Sequence, residues 1–231
     1  MFPFLAAGIF SISGIFSCSG STHSEKSTKH MAITNIFEQN PAVKAQSASG
    51  LDTATLGTGC FWCTEAIFEQ LEGVQQVTSG YSGGHADNPT YKEVSTGASG
   101  HAECVQIVYN PAIISFDELL EVFWQVHDPT TLNRQGADVG PQYRSVVFYH
   151  NDEQKQKAEK YKAELDKSGA FSNPIVTTIE PYVQFFAAED YHQEYYANNK
   201  NKNPYCQIVI KPKLEKFEKV FKNKLKKNSK A

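Results

Sequence analysis

The sequence sets two thiols three residues apart in the run Gly59-Cys60-Phe61-Trp62-Cys63. Helix-like apolar spacing starts at Phe61, so Cys60 falls where a strand ends and a helix begins. The free N–H groups and dipole of that helix end favour a thiolate there. Cys63, one helical turn on, shares the face of Cys60 and comes within disulfide reach after modest adjustment. Three chemistries fit such a pair: a thioredoxin-like redox couple, half of a zinc site, or two buried core thiols. Zinc needs two further ligands at short spacing, and the sequence has neither a second C-x-x-C nor a paired Cys/His, so no metal is expected. A thioredoxin-like motif has small or cyclic residues between its thiols. Phe61 and Trp62 would instead make an aromatic wall beside the nucleophile, suited to gripping a small apolar group.

An acid is the second ingredient. In Ser99-Gly100-His101-Ala102-Glu103-Cys104, Glu103 stands at the mouth of an apolar strand, where a carboxyl among aromatics has a raised pKa and can donate a proton. A rim Glu paired with Lys or Arg is the plainer alternative. Tyr91, in Asn88-Pro89-Thr90-Tyr91, and Tyr143, in Gly140-Pro141-Gln142-Tyr143-Arg144-Ser145, are loop tyrosines whose hydroxyls can donate hydrogen bonds; with 11 tyrosines in the chain neither stands out alone.

The elements that must position these groups follow from periodicity. Residues 54–59 read as a strand running into a turn, 61–71 as a helix stopped at Gly73, and 74–81 as a second strand. The Gly-rich residues 83–101 form a long loop of the kind that carries function. A strand over 104–109 is closed by Pro111. Ser115 caps a helix over 116–126, with Glu118 completing a capping box. Another loop (128–142), a strand (145–149), a charged surface helix (153–166) and a strand (175–179) follow. The order β-α-β-β-α-β predicts an α/β (α+β) domain: a two-layer sandwich with a mixed sheet and a ferredoxin-like split βαβ core. Residues 211–231 carry nine Lys against two Glu, with Leu214, Phe217, Val220, Phe221 and Leu225 at helical spacing. This predicts an amphipathic C-terminal helix with a basic, solvated face.

Composition sets the frame. With 231 residues, 40% hydrophobic and 20% charged, the chain is an ordinary globular protein of one domain plus appendages, not collagenous, wholly disordered or polytopic in a membrane. A net charge of -3 gives no case for nucleic-acid binding. Five cysteines (Cys18, Cys60, Cys63, Cys104, Cys206) are too few for a disulfide scaffold. Residues 5–16 form an uncharged apolar run of signal-peptide length, followed by Cys18. The run resembles a bacterial lipoprotein signal, in which Cys18 becomes the lipidated first residue, although no Lys or Arg precedes it and Phe16 is bulky for that pattern. Residues 1–18 are thus expected to be a signal segment and 19–50 a disordered tether, polar and short of apolar residues. The folded domain is expected over 51–231 and the location in the cell envelope, or the cytoplasm if translation starts at Met31.

Six segments taken together, Gly59-Cys60-Phe61-Trp62, Ser79-Gly80-Tyr81-Ser82-Gly83-Gly84, Asn88-Pro89-Thr90-Tyr91, Gly100-His101-Ala102-Glu103, Gly140-Pro141-Gln142-Tyr143-Arg144-Ser145 and Glu189-Asp190-Tyr191-His192-Gln193, resemble in order the A-type peptide methionine sulfoxide reductases. The resemblance runs over residues 51–225. It implies reduction of the S epimer of methionine sulfoxide, free or in oxidised proteins, as a repair activity. A sulfoxide oxygen leaves poorly unless protonated. By the resemblance, Cys60 attacks the sulfur, protonated Glu103 gives the oxygen a proton, and Tyr91 and Tyr143 hold that oxygen. Asp138 matches a polar pocket position that fixes water or substrate. Phe61 and Trp62 hold the S-methyl group, a contact worth about 0.3–1.5 kcal/mol. Cys60 is left as a sulfenic acid. Cys63 and Cys206 are both candidates to condense with it, Cys63 first, with a relay from Cys63 to Cys206 as a further route. Cys104 is expected to be a buried, inert thiol. The resemblance implies no cofactor and a thioredoxin-like protein as electron donor; the chain is expected to act as a monomer. Two rivals stand beside the enzyme: a disulfide-exchange module working through Cys60 and Cys63, and a tethered protein that binds oxidised methionine without reducing it. Cys60, Glu103 and both tyrosines being intact favours the enzyme.

Overall fold

The computed structural model describes residues 21–40 and 50–227. At its centre lies a six-stranded sheet of order β7-β6-β1-β3-β2-β8. Four of its strands build the expected split βαβ core: β1 (Asp52–Thr58), β2 (Val74–Ser82), β3 (Ala102–Tyr109) and β6 (Ser145–Tyr149). β3 lies antiparallel between β1 and β2, and β6 lies antiparallel on the other side of β1. Helix α2 (Phe61–Phe68) follows β1 and crosses to β2, and α4 (Phe116–Val126) links β3 towards β6. β7 (Thr178–Pro181) pairs parallel with β6, and β8 (Phe185–Ala187) antiparallel with β2, so the sheet is mixed.

Side-chain alternation decides the faces. Along β3, Val105, Ile107 and Tyr109 join the main core under the helices, whereas Cys104, with Ala102, Val146 and Phe148, forms a small cluster on the opposite face. Glu103 shares the parity of Val105 and therefore looks to the helix side. Cys104 is fully buried as expected, and burial pushes its thiol far up. The capping box at α4 is present as read: Ser115 Oγ accepts from Glu118 N, and Ser115 N donates to Glu118 Oε2.

Both long loops carry local structure that periodicity did not show. Residues 83–101 contain the short helix α3 (Tyr91–Ser95), capped reciprocally by Thr90 and Glu93. Buried His101 folds this loop back, its Nδ1 accepting from Gly84 N at 3.1 Å and its Nε2 donating to Ala86 O at 2.7 Å. Residues 128–142 contain the two-residue strands β4 (Arg134–Gln135) and β5 (Asp138–Val139), paired antiparallel, and a 3₁₀ turn over Pro141–Tyr143. Helix α5 (Asp152–Ser168) packs near β6 and β7, and a five-residue α6 (Tyr195–Asn199) lies against α2.

Two expectations about the ends need correction. Residues 21–39 are not a disordered tether: Ser21–Gln39 forms helix α1, packed on α4 and α5. Ile33, Ile36 and Phe37 sit at helical spacing on one stripe; Ile33 and Phe37 are buried, and Phe37 stacks on Tyr161 at 4.0 Å. Three apolar residues cannot make a core of their own, but they suffice to dock a helix on an existing one. At the other end, the helix starts earlier and stops sooner than expected. A π-helical stretch, Cys206–Ile210, leads into α7 (Lys211–Val220), and the chain then turns so that Leu225 bridges to Leu71. Residues 1–18, including Cys18, lie outside the described residues. Among the described residues no helix is long and apolar enough to cross a membrane.

Candidate active site

Gly59 delivers the nucleophile. Its φ of +100° is left-handed, and a Cβ there would come within 2.6 Å of the Gln135 side chain, so only glycine makes this turn without strain. The turn leaves Cys60 as the N-cap of α2, the position expected from sequence. Cys60 is 6% exposed.

Glu103 arrives from β3 directly beneath that helix end. It is 2% exposed, and its Oε2 accepts a hydrogen bond from Phe61 N at 3.1 Å. Among the described residues no Lys or Arg pairs with it, so the rim-and-salt-bridge alternative does not hold. Burial is the main cause that pushes its pKa up to about 8; the Phe61 N–H opposes this, and Asp138 and Cys63 reinforce it. A carboxyl in this setting carries its proton at neutral pH.

The two cysteines divide their charge differently from the sequence reading. Burial pushes the Cys60 thiol well up, reinforced by Cys63 and by Glu103. Cys63 is instead drawn down to about 7, first by a hydrogen bond from Cys60, with help from the Lys213 ammonium 3.8 Å from its Sγ. Of the pair, Cys63 is therefore the thiol that ionises more readily. Helix-end N–H groups favour a Cys60 thiolate, but the dry pocket and the neighbouring sulfur outweigh them.

Both tyrosines converge on the same acid. Burial raises Tyr91 and Tyr143, and the next cause for each is the nearby Glu103, with Cys60 contributing as well. Tyr91 is held by its backbone N–H to Glu189 Oε1 at 2.9 Å, while Glu189 Oε2 accepts from Tyr81 Oη at 3.0 Å. Asp138 is placed at the site by the β4–β5 hairpin, but here its Oδ2 accepts from Tyr205 Oη at 2.9 Å. Trp62 stacks on Tyr195 at 3.7 Å and donates from Nε1 to His192 Nδ1 at 3.1 Å. Phe61, expected as half of the aromatic wall, is 0% exposed and packs against Tyr81 and His192. It backs the wall, and Trp62 forms its accessible part.

Sequence reasoning missed the residues that frame this wall. Tyr205 lies against both Cys60 and Cys63 and edge-on to Trp62, closing the site. His192 and Glu189 stood in a quoted motif without a role, and Tyr195 and Lys213 carried no local signal. Cys206, directly after Tyr205, is also buried, its thiol raised by burial and by the Cys63 charge. The three candidate redox thiols are thus gathered at the α2–α7 junction, without a disulfide between them.

Comparison with known proteins gives this arrangement a family. The model of the peptide methionine sulfoxide reductase family matches residues 52–225. The chain is 53% identical over 184 residues to peptide methionine sulfoxide reductase MsrA 1 of Rhodopirellula baltica, covering 80% of this chain and 94% of that protein. It is 52% identical over 176 residues to the MsrA of Saccharolobus solfataricus, covering 76% and 98%. The reduced form of Mxr1 from Saccharomyces cerevisiae superposes with a TM-score of 0.61 at 35% identity, over 69% of this chain and 91% of that one. The chain belongs to the peptide methionine sulfoxide reductase family, and its reaction is the reduction of methionine sulfoxide to methionine.

Proposed function

We propose that the site acts on the S epimer of methionine sulfoxide, in oxidised proteins and as the free amino acid, with Cys60 as nucleophile and Glu103 as acid. The observation that carries this reading is a carboxyl, buried and without a cationic partner among the described residues, at the same helix end as a buried thiol. Nothing else in the pocket can give a sulfoxide oxygen a proton at neutral pH as readily. One proton moving along the S–H···S hydrogen bond converts the resting pair into a Cys60 thiolate. That thiolate attacks the sulfoxide sulfur while Glu103 protonates the oxygen. Tyr91 and Tyr143 hold the oxygen as charge builds on it, and Trp62, backed by Phe61, takes the methyl group. Tyr205 must withdraw from Asp138 to admit substrate, freeing that carboxylate to orient it. Methionine leaves, and the oxygen stays on Cys60 as a sulfenic acid.

Cys63, adjacent and readily ionised, condenses first once it gives up the proton taken from Cys60, and Cys206 then takes over the disulfide. A thioredoxin-like dithiol protein finally reduces the enzyme, which works as a monomer. Residues 1–18 direct export, and Cys18 carries lipid; an envelope location calls for a membrane-delivered reductant. Mass spectrometry of the mature N-terminus tests the last point, an intact Met1 or a start at Met31 overturning it. Single-turnover methionine release from each epimer, without reductant, tests the chemistry. One equivalent from the S epimer, none from the R epimer and none from Cys60→Ser is the expected result. Turnover by Cys60→Ser, or of the R epimer, overturns it.

A further inference from the structure

Lys213 sits on α7, far along the chain from the helix that carries the cysteines, yet its Nζ is 3.8 Å from Cys63 Sγ. It is the one ammonium with a contact to a redox thiol among the described residues. The groups facing Cys63 from every side are Cys60 on its own helix, Tyr205 and Cys206 from the segment before α7, Asp138 from β5, Glu103 from β3, and Lys213. Of these, Lys213 alone is cationic. Cys206, whose surface is also out of reach of solvent, has no such partner among the described residues, and the neighbouring Cys63 opposes its ionisation.

We infer that Lys213 is a positioning residue for the regeneration step, holding Cys63 as the thiolate that attacks the Cys60 sulfenic acid and so making Cys63 rather than Cys206 the first resolving thiol. The inference rests on the reading of Cys60 as the sulfoxide-attacking thiolate. After methionine leaves, Cys63 carries the proton it took from Cys60 and must release it. Lys213 beside it favours that release, because a nearby ammonium stabilises the thiolate over the thiol; each tenfold gain in thiolate corresponds to about 1.4 kcal/mol. The Cys63 thiolate then attacks the Cys60 sulfur. The Cys60–Cys63 bond forms, the S–O bond breaks, and oxygen leaves as hydroxide, which takes a proton to become water. Cys63 is oxidised and the sulfenic sulfur reduced, so no outside oxidant is required.

The test uses the full chain carrying Cys206→Ser, with and without Lys213→Met, reacted once with the S sulfoxide across pH 6 to 9.5. Methionine yield and Cys60–Cys63 disulfide are followed in the same time course. The expected result is a methionine yield of one equivalent in both, with disulfide formation about tenfold slower in Lys213→Met at pH 6 and within about twofold above pH 9. Lys213→Arg, which keeps the charge, should restore the parent profile. A slowing equal at every pH marks a packing defect and overturns the inference. So does an unchanged profile, or a Cys60–Cys206 bond appearing first in the chain with all its cysteines. Absence of methionine in the parent would instead sink the underlying reading of Cys60.

Discussion

Replacing Glu103 by Gln should make the protein more stable and nearly inactive, and both effects follow from one buried carboxyl. In the unfolded chain this group titrates near 4.5 and in the folded protein near 8. A folded-state pKa raised above the unfolded one means stability is fully present below about 4.5 and is lost as pH rises towards 8. Linkage over that window gives a loss of under about 1 kcal/mol at pH 5 and about 4 kcal/mol at pH 8. Gln is neutral throughout and its amide oxygen can still accept from Phe61 N–H, so the variant escapes the loss. Urea unfolding at pH 5 and pH 8 should show the stability difference between variant and parent growing by about 3 kcal/mol. Methionine formation in a single turnover should fall by about 10²- to 10⁴-fold, because an amide gives no proton. In the parent, the same step should weaken as pH passes 8. A stability difference that is flat with pH would show that Glu103 is ionised in the folded state, and with it the proposed acid would be lost.

Three further outcomes can be checked. Phe37→Ala removes the stack on Tyr161 and should destabilise the protein by about 3 kcal/mol in urea; a change below about 0.5 kcal/mol would mean that α1 is not held on the body. Trp62→Ala should raise KM for the sulfoxide by up to about tenfold, the size of a sulfur–aromatic contact, with a smaller change in kcat; an unchanged KM would place the methyl group elsewhere. Tyr205→Phe loses the hydrogen bond to Asp138 that closes the site and should raise kcat/KM by a few-fold, on the order of 1 kcal/mol; a fall would make the Tyr205 hydroxyl part of the chemistry.

The sequence was most legible where local rules act alone. Ser115 and Glu118 announce the start of α4 because a capping box needs only four residues, and the strands β1, β2, β3 and β6 show as short apolar runs, alternating over 104–109. Cys60 at a helix start and Glu103 at a strand mouth could be found the same way. What could not be read is whatever depends on distant segments meeting. Nothing near Cys63 in sequence reveals Lys213, and nothing near Trp62 reveals Tyr195, because α6 and α7 reach α2 only through the folded chain. The upward push on the Cys60 thiol is hidden from sequence for the same reason: the helix end is local, but the burial and the second sulfur that oppose it are not. Helix α1 reads as a tether in sequence because its few apolar residues make no core alone; they order only against the surface of α4 and α5.

Helix α1 also bears on what the proposed lipid on Cys18 would do. A flexible leash over residues 19–50 would let the domain roam with a root-mean-square reach of about 30 Å. With α1 helical from Ser21 and docked through Ile33 and Phe37, a lipid on Cys18, as proposed above, would leave only about 10 Å of chain ahead of a rigid helix. The enzyme would then stand at a fixed height and with a restricted tilt, exchanging a wide search volume for a high local concentration at the lipid surface. Proteins oxidised close to that surface would be repaired in preference to those diffusing beyond its reach.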